Sequence, residues 1–213
     1  MIDCSNIEQF NMNSKKNYWL GKHGPMMIAE IGANHEGNFS SAKKLVKLAI
    51  KANVDVIKFQ LYTGEGIVNK KISEDRYKHF KKFELTKSQH IYLAKLVKDS
   101  GIKYSASVWD IKMIEWIDKF MDFYKIGSGD LTAYPVLDEI AKRRKPILLS
   151  TGLSNLKEIK NTINYLKKID KFYQNRNNLA LLQCTSSYPC HEKELNLNTI
   201  NFLKKKTSLS VGF

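Results

Sequence analysis

The chain has 213 residues, 43% of them hydrophobic, enough to enclose a core in one large domain or two small ones and to argue against disorder. No stretch approaches the ~18 uninterrupted apolar residues of a membrane span, and the polar run from Met1 to Asn17 shows no secretory signal, so a soluble cytoplasmic protein is expected. The formal charge of +14 raises nucleic acid as a partner, but the lysines are spread over the polar faces of many segments without exposed aromatics between them, which argues against it.

After a leader (residues 1–20), short apolar runs alternate with amphipathic stretches. Met26 to Ile31 reads as a strand between Pro25 and Gly32, and residues 41–52 place Ala42, Leu45, Val46, Ala49 and Ile50 at helical spacing. Val54 to Gln60 is the second strand, and a polar insertion follows from Thr63 to Phe83. Thr86 and Gln89 fit a capping box for a helix that turns Leu93, Leu96 and Val97 inward and stops near Gly101. Lys103 to Val108 is the third strand, and Met113, Ile114, Ile117 and Phe120 mark the inner face of the next helix. Phe123 to Ile126 is the fourth strand. Pro135 stands early in a helix lined by Val136, Leu137, Ile140 and Ala141. Pro146 to Ser150 is the fifth strand, and Asn155 with Glu158 caps a helix burying Leu156, Ile159, Ile163 and Leu166. Leu179 to Cys184, a helix around Ile200 and Leu203, and a strand from Ser208 to Gly212 complete the series. The lysine runs 142–145 and 204–206 fall near helix ends, where they complement the macrodipole.

Seven strands alternating with six crossover helices require a parallel sheet. A doubly wound sheet would carry a Gly-rich turn after its first strand, and Ile31 to Gly37 does not fit one. A (β/α)8 barrel instead collects polar residues at the C-terminal ends of its strands. Here they recur on six: Glu30 and Asn34-His35-Glu36; Lys58 and Gln60; Ser105 and Ser107; Lys125, Ser128 and Asp130; Ser150 and Thr151; Gln183, Thr185, Ser186 and Tyr188.

Lys58 and Lys125 stand in otherwise apolar strands, where an ammonium group needs an anionic partner. With Ser107, Ser128, Ser150 and Ser186 they can cradle phosphate and carboxylate groups; alternatively they pair with Glu30 and Asp130 across the barrel mouth. His35 has no second histidine at ligand spacing, so loop ordering is preferred over metal binding or proton transfer. Gly127 and Gly129 flank Ser128 and suit a tight turn, a close approach of backbone to ligand, or both. Cys4, Cys184 and Cys190 are too few and too scattered for a disulfide framework or a zinc site.

The succession Ala29-Glu30-Ile31-Gly32-Ala33-Asn34-His35-Glu36-Gly37, Lys58-Phe59-Gln60, Tyr124-Lys125-Ile126-Gly127-Ser128-Gly129-Asp130, Ser150-Thr151-Gly152 and Leu182 to Pro189 resembles the N-acetylneuraminate (sialic acid) synthase family from about Gly21 to Phe213. The resemblance implies an incomplete TIM barrel over 21–213, with the eighth strand and an antifreeze-like C-terminal domain missing. It implies condensation of phosphoenolpyruvate with an N-acetylated amino sugar, N-acetylmannosamine or a relative, to a nine-carbon 2-keto acid and phosphate. Glu30, Lys58 and Asp130 become the catalytic candidates, and Gln60, Ser107, Lys125, Ser128, Ser150, Ser186 and Tyr188 the substrate-binding ones. Of these, the two lysines and four serines would hold phosphoenolpyruvate, and Glu30, Gln60 and Tyr188 would orient the sugar. The family cofactor is a divalent cation, Mn2+ or Mg2+, whose two histidine ligands would lie beyond Phe213, and a full-length relative is expected to be a homodimer. No nucleic acid or membrane partner is implied.

Three positions depart from commoner family residues: Ser107 for threonine, Asp130 for glutamate and Ser186 for asparagine. They leave the reaction class intact and put the sugar specificity in question. With two unpaired sheet edges the chain alone is expected to be marginally stable and inactive. Two readings compete: a non-catalytic barrel remnant that binds phosphoenolpyruvate or a protein partner, and an aldolase with Lys58 or Lys125 as a Schiff-base lysine.

Overall fold

The structure is a computed structural model that describes residues 17–213. The leader assigned to residues 1–20 lies mostly outside the described residues. A small antiparallel hairpin, β1 (Leu20–Gly21) with β2 (Gly24–Pro25), comes first. Seven parallel strands follow in sequence order: β3 (Ile28–Gly32), β4 (Val56–Leu61), β5 (Lys103–Val108), β6 (Phe123–Ile126), β7 (Ile147–Ser150), β8 (Leu179–Leu182) and β9 (Ser210–Gly212). The sheet curls without closing, and among the described residues β3 and β9 are its unpaired edges. The alternation of elements predicts this parallel sheet, and the incomplete (β/α)8 architecture is the one that the family resemblance implies.

Most of the helices pair an apolar stripe with a capping residue, a first-turn proline or cations in the last turn. In α1 (Phe39–Lys51), Asn38 accepts a hydrogen bond from the Ser41 N–H while Ala42, Val46 and Ala49 are buried. Helix α4 (Lys87–Asp99) opens on the complete Thr86/Gln89 capping box, and α7 (Leu156–Ile169) on the Asn155/Glu158 box. Pro135 occupies the first turn of α6 (Tyr134–Ala141). Lys204, Lys205 and Lys206 fill the last turn of α8 (Thr199–Thr207), as the macrodipole favours.

Two expectations change. The insertion from Thr63 to Phe83 holds two helices, α2 (Gly64–Ile67) and α3 (Glu74–Phe83). No residue of α3 is fully buried; its half-buried Tyr77, Phe80 and Phe83 recur at helical spacing as a thin stripe, and the Phe80 ring meets Tyr62 edge-on at 5.6 Å. Helix α5 (Ile111–Ile117) stops short of Phe120, which lies past it in a 3-10 turn while still packing against the core.

The curvature separates the two faces of the strands. Outward residues such as Ile57, Phe59, Tyr104, Tyr124, Leu149 and Leu181 pack under the helices in one large cluster. Inward residues alternate with them, and at the N-terminal end of the sheet Val56, Phe123, Leu148 and Ala180 form a second cluster closed by Trp19. Trp19 meets Phe123 edge-on at 5.4 Å, and the neighbouring Tyr18 donates from its hydroxyl to the Asp122 carbonyl. The barrel interior is thus plugged at the bottom by apolar groups.

Candidate active site

Moving up each strand by two residues from the apolar plug turns the interior polar. Val56 leads to Lys58 and Gln60, Phe123 to Lys125, Leu148 to Ser150, and Ile28 to Glu30. Glu30 and Lys58 are direct cross-strand partners in the β3–β4 register, which brings Lys58 Nζ within 2.6 Å of Glu30 Oε2. Lys58 is 3% exposed and Glu30 45%. Burial holds the Lys58 ammonium below the usual lysine range; Lys125 nearby pushes the same way, and Glu30 opposes both. Two cations therefore share one interior, and a single carboxylate touches one of them.

Half-buried Lys125 has no ion pair among the described residues, and Asp130 turns its Oδ2 to the Trp109 indole N–H, which donates to it at 2.8 Å. The pairing of lysines with acids across the mouth is thus met for Lys58 with Glu30 and not for Lys125 with Asp130.

The serines sort by what their hydroxyls do. Ser150 ends β7, is 1% exposed and has a buried Oγ without a hydrogen-bond partner among the described residues. Ser107 is 3% exposed on the inward face of β5. Ser128 Oγ accepts from the Gly152 N–H at 3.1 Å. A Cβ on Gly152 would lie 2.6 Å from Ser186 Oγ, 2.8 Å from Ser128 Oγ and 3.1 Å from the Cys184 carbonyl. The β6, β7 and β8 loops therefore converge on a glycine-floored cradle that presents two hydroxyls. Gly152 owes its identity to this close approach rather than to its backbone angle, a role not visible from its place in the motif.

Glu30 and Gln60 meet at Gly32: a Cβ there would be 3.3 Å from Glu30 Oε1 and 3.7 Å from Gln60 Nε2. Tyr188 is not drawn in with these groups; its side chain is 97% exposed.

Several polar strand-end residues serve the framework. Ser105 lies mid-strand, fully buried, and donates to the Phe123 carbonyl. Thr151 donates to the Leu182 carbonyl through both its N–H and its hydroxyl. Gln183 donates to the Leu195 carbonyl, and Thr185 to that of Glu194. His35 accepts from the Gly37 N–H at 3.0 Å and so orders its own loop, as preferred from sequence. Cys184 lies past β8 rather than within it, and Cys184 and Cys190 are both free thiols.

Beside Asp130 a cavity of about 240 Å³ is lined by Gly66, Ile67, Val108, Trp109, Asp130 and Val136. Trp109 follows the last residue of β5, a strand-end position that singles it out only once Asp130 is seen against it. No group of three or more His, Cys, Asp or Glu residues that could hold a metal occurs among the described residues. No helix among them is long and apolar enough to cross a membrane.

With this geometry in place, the comparisons with known proteins are informative. The profile of the NeuB family matches residues 45–213. An uncharacterised protein of Methanocaldococcus jannaschii is 37% identical over 197 residues, covering 92% of this chain and 56% of its own length. The N,N'-diacetyllegionaminic acid synthase of Campylobacter jejuni is 32% identical over 201 residues, covering 88% of this chain and 59% of the enzyme. The crystal structure of N-acetylneuraminic acid (sialic acid) synthetase from Leptospira borgpetersenii superposes with a TM-score of 0.80 at 27% identity, over 88% of this chain and 64% of that one. The chain spans less than two thirds of the length of each of these relatives.

Proposed function

The chain belongs to the NeuB family, and from that premise we propose that it carries the phosphoenolpyruvate-binding part of a synthase that condenses this anion with an N-acetylated amino sugar. The observation that carries the reading is the pair of interior lysines. Lys58 and Lys125 project the same charge into one polar layer, with only Glu30 against them among the described residues, which favours an anion as the layer's ligand. Phosphoenolpyruvate supplies a carboxylate and a phosphate. The unpartnered Ser150 hydroxyl and the Ser128–Gly152–Ser186 cradle offer the hydrogen bonds that such oxygens accept.

In the condensation, carbon 3 of phosphoenolpyruvate bonds to the aldehyde carbon of the open-chain sugar. Water adds at carbon 2, and the carbon–oxygen bond to phosphate breaks, leaving the 2-keto acid. The lysines hold the anion and neutralise the phosphate as it departs; Glu30 and Gln60, converging at Gly32, orient sugar hydroxyls. The divalent cation implied by the family finds no ligand set among the described residues, and no step is assigned to it. The sugar is an N-acetylmannosamine or a legionaminic- or pseudaminic-type precursor; the substitutions at Ser107, Asp130 and Ser186 bear on that choice.

Isothermal titration with phosphoenolpyruvate tests the reading. Saturable binding is expected, weakened at least tenfold by Lys58→Met and by Lys125→Met; equal binding by both variants refutes it. Burial of Lys58 supports a second reading, the Schiff-base lysine, because it favours the neutral amine. The 2.6 Å contact with Glu30 opposes it by stabilising the ammonium. Borohydride trapping with pyruvate should leave the protein unlabelled; a covalent adduct on Lys58 would establish the aldolase instead.

A further inference from the structure

We propose that Trp109 is a positioning residue that fixes the Asp130 carboxylate and points its free oxygen at the sugar, an inference that rests on the synthase reading above. The two oxygens of Asp130 have unequal surroundings. Oδ2 accepts the indole N–H of Trp109 at 2.8 Å and lies so close to Gly127 that a Cβ there would be 3.0 Å away. Oδ1 has no protein hydrogen-bond donor among the described residues, and Asp130 lines the adjoining cavity of about 240 Å³. One oxygen is thus held from behind, and the other is left to accept a hydrogen bond from a ligand.

The holder is itself fixed. The Trp109 ring packs on Tyr62 at 5.6 Å, and Tyr62 takes the edge of Phe80 at 5.6 Å. Phe80 belongs to α3, the exposed helix of the insertion between β4 and α4. A row of three aromatic rings therefore links that insertion to the mouth of the barrel. An aspartate reaches one methylene less far than a glutamate, and a fixed donor behind it sets where that shorter carboxylate stands. Ile67, Val108 and Val136 supply apolar walls around it, a lining suited to the non-hydroxyl part of an N-acylated sugar.

The test uses the full chain and three proteins: wild type, Trp109→Phe, and Trp109→Phe combined with Asp130→Glu. Dissociation constants are measured by titration with phosphoenolpyruvate alone, and by NMR with N-acetylmannosamine in the presence of saturating phosphoenolpyruvate. Trp109→Phe keeps the ring and removes the N–H, so the sugar constant should rise about tenfold, the scale of one hydrogen bond to a charged group. The phosphoenolpyruvate constant should stay within about twofold, which general loosening of the mouth would not allow. The longer glutamate should recover most of the loss. Unchanged sugar affinity in Trp109→Phe overturns the proposal, and so does failure of the sugar to bind a wild type that binds phosphoenolpyruvate. A wild type that binds neither overturns the synthase reading, and this role with it.

Discussion

Replacing Glu30 with glutamine isolates the electrostatic core of the site. The change keeps the shape of the side chain and removes the one carboxylate 2.6 Å from an ammonium that is 3% exposed. Removing one partner of a fully buried pair costs about 3–5 kcal/mol, because the remaining charge is left uncompensated. Glu30 is 45% exposed, so water already screens it, and the loss expected at pH 7 falls to about 2 kcal/mol. For a chain of this size that corresponds to a fall in Tm of roughly 4–8 °C. The pH dependence carries the diagnosis. Burial and Lys125 hold the Lys58 ammonium below its ordinary value, so the unfolded chain binds that proton more tightly than the folded one. Stability linked to Lys58 therefore rises with pH in the window below the ordinary lysine value of 10.5. In Glu30→Gln the ammonium loses its opposing anion and deprotonates at still lower pH. The difference between wild type and variant should be largest near neutrality and shrink as the pH climbs through that window. Lys58→Met in the Glu30→Gln background should restore most of the loss, since the uncompensated charge is then gone. Thermal melts of wild type, Glu30→Gln and the double variant from pH 6 to 10 provide the measurement. A Glu30→Gln protein as stable as wild type at pH 7, or one whose deficit grows with alkali, would refute the reasoning.

Other perturbations probe the parts around this pair. Gly152→Ala places a methyl 2.6 Å from Ser186 Oγ and 2.8 Å from Ser128 Oγ. Relief requires breaking the Ser128–Gly152 hydrogen bond, so a loss of about 1–3 kcal/mol is expected, with at least tenfold weaker phosphoenolpyruvate binding by calorimetry. Buried His90 is held down to about 4 by loss of water, with His35 adding to the effect. Its folded value lies below the ordinary 6.5, so its contribution is complete above pH 6.5 and is lost as the pH falls towards 4, by about 3 kcal/mol in all. His90→Phe should flatten the acid limb of a stability–pH curve, and an unchanged limb would count against it. Trp19→Ala empties the floor of the barrel, where Trp19 is 8% exposed; because its indole N–H makes no hydrogen bond among the described residues, the loss is one of packing, about 3 kcal/mol in urea unfolding.

The parts of the fold that follow local rules were legible from sequence. Thr86 with Gln89 and Asn155 with Glu158 close the expected capping boxes, and all seven strands overlap the apolar runs that predict them, five lying within those runs and β3 and β4 each running one residue past, to Gly32 and Leu61. The convergence of Lys58 with Glu30 was legible as one of two alternatives, because a lysine in an apolar strand must find a partner. What stayed hidden depends on which face a strand residue takes. Ser105 and Ser107 share the inward face of β5, so the alternation that marks them as interior does not separate Ser105, spent on the Phe123 carbonyl, from Ser107 two residues later. Helix α3 was hidden because its stripe of Tyr77, Phe80 and Phe83 is thin and set in a polar segment with no fully buried residue, and the tie between Trp109 and Asp130 because 21 residues separate them.

That same alternation explains how one sheet serves stability and chemistry together. Phe59 faces the helices while its neighbours Lys58 and Gln60 face the interior, so a register slip of one residue in β4 would exchange core and site. The register is held firmly in the middle of the sheet, where β4 and β5 pair continuously from Val56↔Lys103 to Leu61↔Val108. At the edge, β3 pairs with β4 only through Glu30 before the register shifts, and pairing resumes at Gly32. The shift sends Ile31 into the outer core, and Gly32, at a φ of +52°, turns the chain away. The bulge therefore falls directly after the residue that meets Lys58. A bulge at an edge strand beside a functional group re-aims a side chain and ends the ladder at once. Here it sets Glu30 against Lys58 and leaves Gly32 open beside Gln60, which ties the geometry of the site to the strand with the fewest neighbours.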